Sequence, residues 1–516
     1  MILNRRSIRL LLAIILTTIV FYWINNSNNA SANLSDFYNK SIENITKDSK
    51  DLKSNSNKNS LFSYKNTLKK LLNLKDEHGI KFNEKLSLGS DSNKLNKNFE
   101  NDDDLDSKSN NNLIINPNSD DPLTYEQISQ LLDFDEESVN GTSEEIINEN
   151  MDFYKEVYSK KIGEPKFSKL TYNVIHDSNG LKRVLTKDEY PRANATLLTL
   201  VRNQELKDIV HTIRQIESTW NYNYHYPYTF ISDQEFTEEF KQTVQRHATG
   251  DCFFEIIPAE IWNKPSNIDP EKEKQGIQKL LDHGVQYADM VSYHNMCRFN
   301  SGYFYRLEGL KKFKWYWRFE PATDYYCNVD YDIFKFMEDN DKTYGFTISL
   351  YDDPLTVETL WPVTLEFIKK NPHLVHKNAA FKWLTDSVQN PDVTKTANGY
   401  STCHFWSNFE IANMDFYRDE AYSKWMDALE EAGGFYYERW GDAPVHSVGV
   451  GLFADKSKIH WFRDIGYFHS PYHNCPNSDK CSGCVAGDFA AHVVDSQNCL
   501  SNWIKYEMTF KELQQY

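Results

Sequence analysis

Cysteine is missing from the first 251 residues; all eight lie between Cys252 and Cys499. An oxidised framework can therefore belong only to the C-terminal half. Cys481-x-x-Cys484 has no second C-x-x-C to complete a zinc site, and the even count favours disulfides, with the pairing open. There is no surplus of basic charge. Lys and Arg number 57 against 74 Asp and Glu, a net charge of −17. That balance argues against a nucleic-acid partner, which takes a basic face. The acid is uneven, gathered in runs such as Asn101–Asp106 (NDDDLD) and Asp133–Ser138 (DFDEES). No G-x-G-x-x-G follows the first strand-like run, so an ordinary dinucleotide site is disfavoured. No internal repeat is found.

Long hydrophobic runs are scarce too. The one at the N-terminus, Leu10 to Ile24, is shorter than the roughly 20 residues of an average spanning helix. Arg5, Arg6 and Arg9 precede it, which keeps the N-terminus cytosolic and sends the rest across. Tyr22 and Trp23 suit a membrane interface and favour an uncleaved signal anchor in a thin early secretory membrane. Ala30-Ser31-Ala32 resembles a cleavage site and keeps a cleavable signal peptide open. Either way the remainder is luminal or secreted. Sequons at Asn25, Asn29, Asn33, Asn39, Asn44, Asn140 and Asn194 agree with that side of the membrane.

Residues 25–150 are rich in Asn, Ser, Lys and Asp and poor in aromatics, a composition that cannot bury enough surface to fold a core. The expected organisation is a cytosolic tail 1–9, an anchor helix 10–24, a low-complexity stem 25–150 and a folded luminal domain 151–516. Within that domain Ala195–Val201 (ATLLTLV) is a continuous apolar run, consistent with a buried parallel strand. Ile209, Ile213 and Ile216 then recur near helical spacing, and YPYTFIS reads as the next strand. This β-α-β order predicts an α/β nucleotide-binding half. Tyr422, Trp425, Met426 and Leu429 predict a further helix, ended by Gly433 and Gly434.

Three segments hold candidate chemistry. In Tyr316–Asp332 an aromatic strand-like run ends at Glu320-Pro321, and Asp324, Asp330 and Asp332 follow. Acids just past a strand end are where α/β enzymes place ligand groups, and also where a plain polar loop would lie. In His404–Asn413 (HFWSNFEIAN) the lone acid Glu410 sits among Phe405, Trp406, Phe409 and Ile411. Burying a carboxylate there is costly unless it is paired or has a task. Ser407-x-x-Glu410 matches a helix capping box, a purely structural alternative. In Arg463–Cys475, His469 and His473 lie in a proline-containing loop. Imidazole with a nearby acid such as Asp352 suits Mn²⁺ when phosphate oxygens complete the shell.

Seven stretches, in one order from about residue 188 to 490, resemble the fungal Golgi α-1,2-mannosyltransferases of glycosyltransferase family 15. They are ANATLLTLVRNQEL, YHNMCRFNSGYFYR, YWRFEP, YGFTISL, HFWSNFEIAN, GGFYYERWGDAPVHSVGVGLF and DIGYFHSPYHNCP. The resemblance implies a type II Golgi membrane protein with a GT-A-like α/β fold, a mixed central sheet flanked by helices. It implies Mn²⁺ as cofactor, GDP-mannose as donor, mannosylated glycoproteins as acceptors on O- or N-linked glycans, and transfer with retention. By position Glu410 matches the family's proposed nucleophile. His469 matches its metal ligand, Asp352 falls at an acidic metal-side position, and Glu320 matches the acid replacing the usual Asp-x-Asp motif. Arg202 matches a donor-side basic residue, and Tyr293, Arg318 and Asp442 fall in the sugar pocket. Tyr293, Trp406 and Tyr436 could wall sugar rings or serve as ordinary core. Ala322 and Asn328 stand where the family pattern has Asp, which suggests as an alternative a catalytically weak mannan-binding relative.

Overall fold

A computed structural model describes residues 121–133, 143–490 and 495–516. The chain divides into two units, Met1–Asp91 and Ser92–Tyr516, and every described residue belongs to the second. The tail, the anchor 10–24 and the stem up to residue 120 lie outside the described residues. Among the described residues no helix is long and apolar enough to cross a membrane.

A seven-stranded mixed sheet organises the domain. Its strands are β1 (Ala195–Leu200), β2 (Tyr228–Ser232), β3 (Cys252–Ile256), β4 (Trp315–Arg318), β5 (Tyr344–Phe346), β6 (Glu410–Asn413) and β7 (Ile459–Trp461). Their spatial order is β7-β5-β6-β4-β1-β2-β3. β1 is parallel to both β2 and β4, and β3 is parallel to β2. The first five residues of β1 are buried, as expected of a parallel strand covered on both faces. Helix α1 (Leu206–Thr219) makes the β1–β2 crossover and buries Ile209, Ile213 and Ile216. A 3-10 turn, Asn203–Glu205, leads into it, with the Glu205 carboxylate accepting the backbone N–H of Arg202 at 2.8 Å.

β6 runs against its neighbours. It is antiparallel to β4 and β5, pairing Glu410 with Arg318 on one side and Phe346 on the other. Its first residue therefore meets the last residues of β4 and β5 at the edge where the parallel strands end. In open α/β sheets ligands bind at that edge. Helices α2 (Val291–Gly302), α3 (Glu420–Ala432) and α4 (Asp442–Phe453) pack together near it. Gly433 ends α3 in the left-handed region, φ 72°, a backbone setting that a residue without Cβ takes at no steric cost. A smaller three-stranded sheet joins 324–325, 467–469 and 472–474.

One expectation changes and another holds. The folded domain begins before Met151: that residue lies inside a helix, Ser143–Ser159, whose Tyr154, Val157 and Tyr158 are buried. Upstream, Thr124 and Gln127 form a capping box for helix Tyr125–Leu132, and Leu123 and Ile128 enter the core. The C-x-x-C is no half-site for zinc. Cys481 bridges Cys327 and Cys484 bridges Cys475, while Cys403 joins Cys499. Cys252 and Cys297 remain thiols.

Candidate active site

Glu410 is 1% exposed and does not cap a helix. It opens β6, so the Ser407-x-x-Glu410 spacing has no helix to serve. Opposite residues of paired strands share a face, which puts Glu410, Ala412, Tyr316, Arg318 and Tyr344 on one side of the sheet. Ala412 lies directly between Tyr316 and Tyr344 and is small enough to let both rings lean toward the acid. The Tyr316 hydroxyl donates to Oε1 at 2.7 Å and that of Tyr344 to Oε2 at 2.9 Å. Burial, with the Glu410 charge adding to it, pushes both phenols well above their usual range, so they stay O–H donors.

The third partner comes from α4. His446 Nδ1 lies 2.9 Å from Glu410 Oε2, and its Nε2 lies 2.9 Å from the backbone oxygen of Asn300. A carbonyl only accepts, so Nε2 carries a proton and one further proton sits between Nδ1 and the carboxylate. Nothing in the local spacing of VHSVGVGLF points to this pairing, which joins residues 36 apart. Tyr344, His446 and Tyr417, whose hydroxyl lies 3.2 Å from that of Tyr316, are residues that sequence reasoning missed as parts of the site. The only hint was a histidine within an apolar helix.

Above this carboxylate lies an ionic layer. Arg318 Nε and Nη2 donate to Glu320 Oε1 at 2.9 and 2.7 Å, and its Nη1 donates to Asp442 Oδ2. Ser407 Oγ also donates to Asp442 Oδ2, at 2.7 Å. Burial alone would push the Asp442 carboxyl up, but Arg318 and His446 more than offset it and hold it below the usual range. Leu198, Leu200, Asn300, Tyr316, Arg318 and Glu410 line a small recess at the ends of β1 and β4. Glu410 and Arg318 thus share this recess, and Arg318 ties Glu320 and Asp442 to it.

The other candidates meet partners of their own. Asp352 is half-buried, 3.9 Å from Arg439, whose Nη1 donates to the Tyr293 hydroxyl at 3.1 Å. Arg202 lies at the end of β1, 3.7 Å from Asp233 beyond β2. His469 ends strand 467–469 and meets the half-buried Trp406 edge-on at 4.9 Å. Tyr436 is core, with its hydroxyl on Asn295 at 2.9 Å, and walls no cleft. The acids after β4 are committed elsewhere. Asp324 meets His211 at 2.6 Å, Asp330 pairs with Lys480 at 2.9 Å, and buried Asp332 caps a helix while accepting from Tyr190 and Tyr226. For these three the polar-loop reading holds.

A family described as glycolipid 2-alpha-mannosyltransferase matches residues 144–508. The chain belongs to that family. Among its relatives, a probable mannosyltransferase KTR4 of Saccharomyces cerevisiae is 47% identical over 380 residues, 72% of this chain and 79% of that protein. The O-glycoside alpha-1,2-mannosyltransferase omh1 of Schizosaccharomyces pombe is 43% identical, covering 62% of this chain and 81% of that one. The crystal structure of S. cerevisiae Ktr4p in complex with GDP matches with a TM-score of 0.70 at 44% identity, over 76% of this chain and 99% of that chain. Core-mannan synthase A of Aspergillus fumigatus, in a Mn/GDP form, matches with a TM-score of 0.64 at 48% identity, over 68% and 93%. Family membership makes the chain a glycosyltransferase of the α-1,2-mannosyl class with a mixed α/β fold.

Against the family pattern, Ala322 takes φ 58°, a region where Asp is far more at home than Ala. The turn after β4 keeps this shape without the acid, held by the Ala322 N–H on the Asp208 carbonyl at 3.3 Å. Asn328 is exposed beside the Cys327–Cys481 bridge, with its N–H on the Lys480 carbonyl.

Proposed function

We propose that this protein is a retaining α-1,2-mannosyltransferase of GT-A-like fold that moves mannose from GDP-mannose onto mannosyl acceptors of O- or N-linked glycoprotein glycans. The observation that carries the reading is Glu410: a buried carboxylate, fixed by three donors, lining the recess at the strand ends. The domain would act in the Golgi lumen, tethered by the 10–24 anchor through its stem.

The residues present fit a shared metal site rather than a cage. Among the described residues no group of three His, Cys, Asp or Glu stands close enough to hold a metal ion. His469 is half-buried and offers an imidazole, whereas Glu320 Oε1 is taken by Arg318. The His469 imidazole, with a carboxylate from Asp352 or Glu320 and diphosphate oxygens supplying the rest, would suit Mn²⁺. When bound, the ion would neutralise the diphosphate of the departing GDP. Arg202, at the end of β1, would meet the donor's negative charge. Arg318 and Asp442 would orient the sugar, since the guanidinium is pinned on two sides.

Glu410 then faces the positive charge that develops at the anomeric carbon. Its Oε2 already accepts from Tyr344 and lies against His446, while Oε1 accepts from Tyr316 alone. Oε1 is therefore the oxygen with a lone pair to spare. It would either attack in a double displacement or stabilise the oxocarbenium-like charge during front-face transfer. The test is incubation with GDP-mannose, Mn²⁺ and methyl α-mannoside, with linkage and anomeric configuration of the product read by NMR. An α-1,2-linked disaccharide is expected. Acceptor binding without release of GDP would instead favour a mannan-binding relative, and free mannose alone would favour a hydrolase.

A further inference from the structure

Beyond the recess, one patch combines exposure, an unusual backbone and continuity with the site. Tyr287 is 49% exposed, and its φ of 61° is a true outlier for a bulky aromatic residue. Its ring stacks on Tyr293 with centroids 4.8 Å apart and an interplanar angle of 15°. Met290 and Val291 beside it are 47% and 45% exposed. Single exposed apolar side chains need no explanation, but a contiguous group does.

The patch is tied to the site on two sides. Leu280, Val285 and Ala288 form a small buried cluster of their own, against which Leu355 packs. Leu355 follows Asp352 by three residues, so the segment carrying Tyr287 is seated on the one carrying Asp352. On the other side Tyr293 takes the Arg439 N–H on its hydroxyl, with the guanidinium 5.3 Å from its ring centre. Arg439 in turn reaches Asp352. The flat face of Tyr287 thus extends the wall that Tyr293 begins.

We propose that Tyr287, backed by Tyr293, is an acceptor subsite for the pyranose next to the one that receives mannose. This rests on the transferase reading above. A pyranose packs its C–H face on an aromatic ring and meets the phenol hydroxyl at the edge, which a ring with one apolar and one polar end supplies. The patch is short and bordered by charge at Asp289, Asp352 and Arg439, which fits a sugar ring and not a lipid chain.

The experiment compares methyl α-mannoside with α-1,2-mannobioside as acceptors for the full-length enzyme, its Tyr287→Asn variant and its Tyr287→Phe variant. Asn tolerates the left-handed backbone, and Phe keeps the ring. For Tyr287→Asn, kcat/KM on the disaccharide should fall about tenfold through KM, with kcat and the monosaccharide reaction within about twofold of wild type. Tyr287→Phe should retain most of the disaccharide preference. Equal losses on both acceptors, or no loss on either, overturn the subsite while leaving the transferase reading intact. Failure of the unsubstituted enzyme to use either acceptor refutes that reading, and the subsite with it.

Discussion

Glu410 and His446 are both shielded from water, at 1% and 0% exposure, so each is the other's principal charge partner. Removing one member of such a pair leaves an uncompensated charge in a poorly solvated place, which costs more than the pair itself contributes. His446→Ala should therefore lower stability by about 3 kcal/mol, measured by urea unfolding, and depress transfer as well. A second, half-buried acid gives a pH signature. Burial pushes the Asp464 carboxyl up to about 6, against the hydroxyls of Tyr331 and Tyr516, which favour its charged form. A carboxyl raised in the folded state binds more protons there than in the unfolded chain, so its contribution is full below about pH 4. It is lost as pH rises through 6. Asp464→Asn should thus gain on the wild type by at most about 3 kcal/mol between pH 4 and pH 7. Unfolding midpoints across that range that move in parallel would contradict the assignment.

At the scale of elements, what places the chemistry is strand register. β1, α1 and β2 were legible from the sequence because a continuous apolar run and an isoleucine stripe are local patterns. β6 was not. Ser407-x-x-Glu410 has the spacing of a cap, and only pairing with β4 and β5, from residues 64 or more positions away, makes it a strand. The same holds for His446, whose polar partners lie outside its own helix. Asp324, Asp330 and Asp332 looked like ligand groups by position, yet each meets a partner that no local window contains. The register also singles out Ala412. A larger side chain there would push Tyr316 and Tyr344 apart and off the carboxylate. Ala412→Leu should cost about 1–3 kcal/mol by overpacking and reduce turnover, read from thermal unfolding and initial rates.

Across the whole molecule, two of the three disulfides found among the described residues join distant parts of the chain. Cys327–Cys481 spans 154 residues and Cys403–Cys499 spans 96. Cross-links of this reach contribute about 2–4 kcal/mol each, chiefly by restricting the unfolded chain. Replacing Cys403 and Cys499 by Ala should lower the unfolding midpoint, and thiol counting on the denatured, unreduced protein should find two free cysteines, Cys252 and Cys297. Cysteine number and spacing announced an oxidised domain but not its pairing, because pairing follows the fold. Composition marked a folded domain from Met151 on. It placed the boundary late, because Leu123 and Ile128 are too few to stand out in a polar segment.

The account stands on Glu410 acting at the anomeric carbon, and Glu410→Gln tests this with nearly unchanged shape. The decisive measurement is the rate of mannose transfer from GDP-mannose to methyl α-mannoside, with the unfolding midpoint and GDP-mannose affinity of the same preparation as controls. Loss of about a thousandfold in rate, with fold and donor binding retained, is the predicted result. Transfer within tenfold of the unsubstituted enzyme would contradict it.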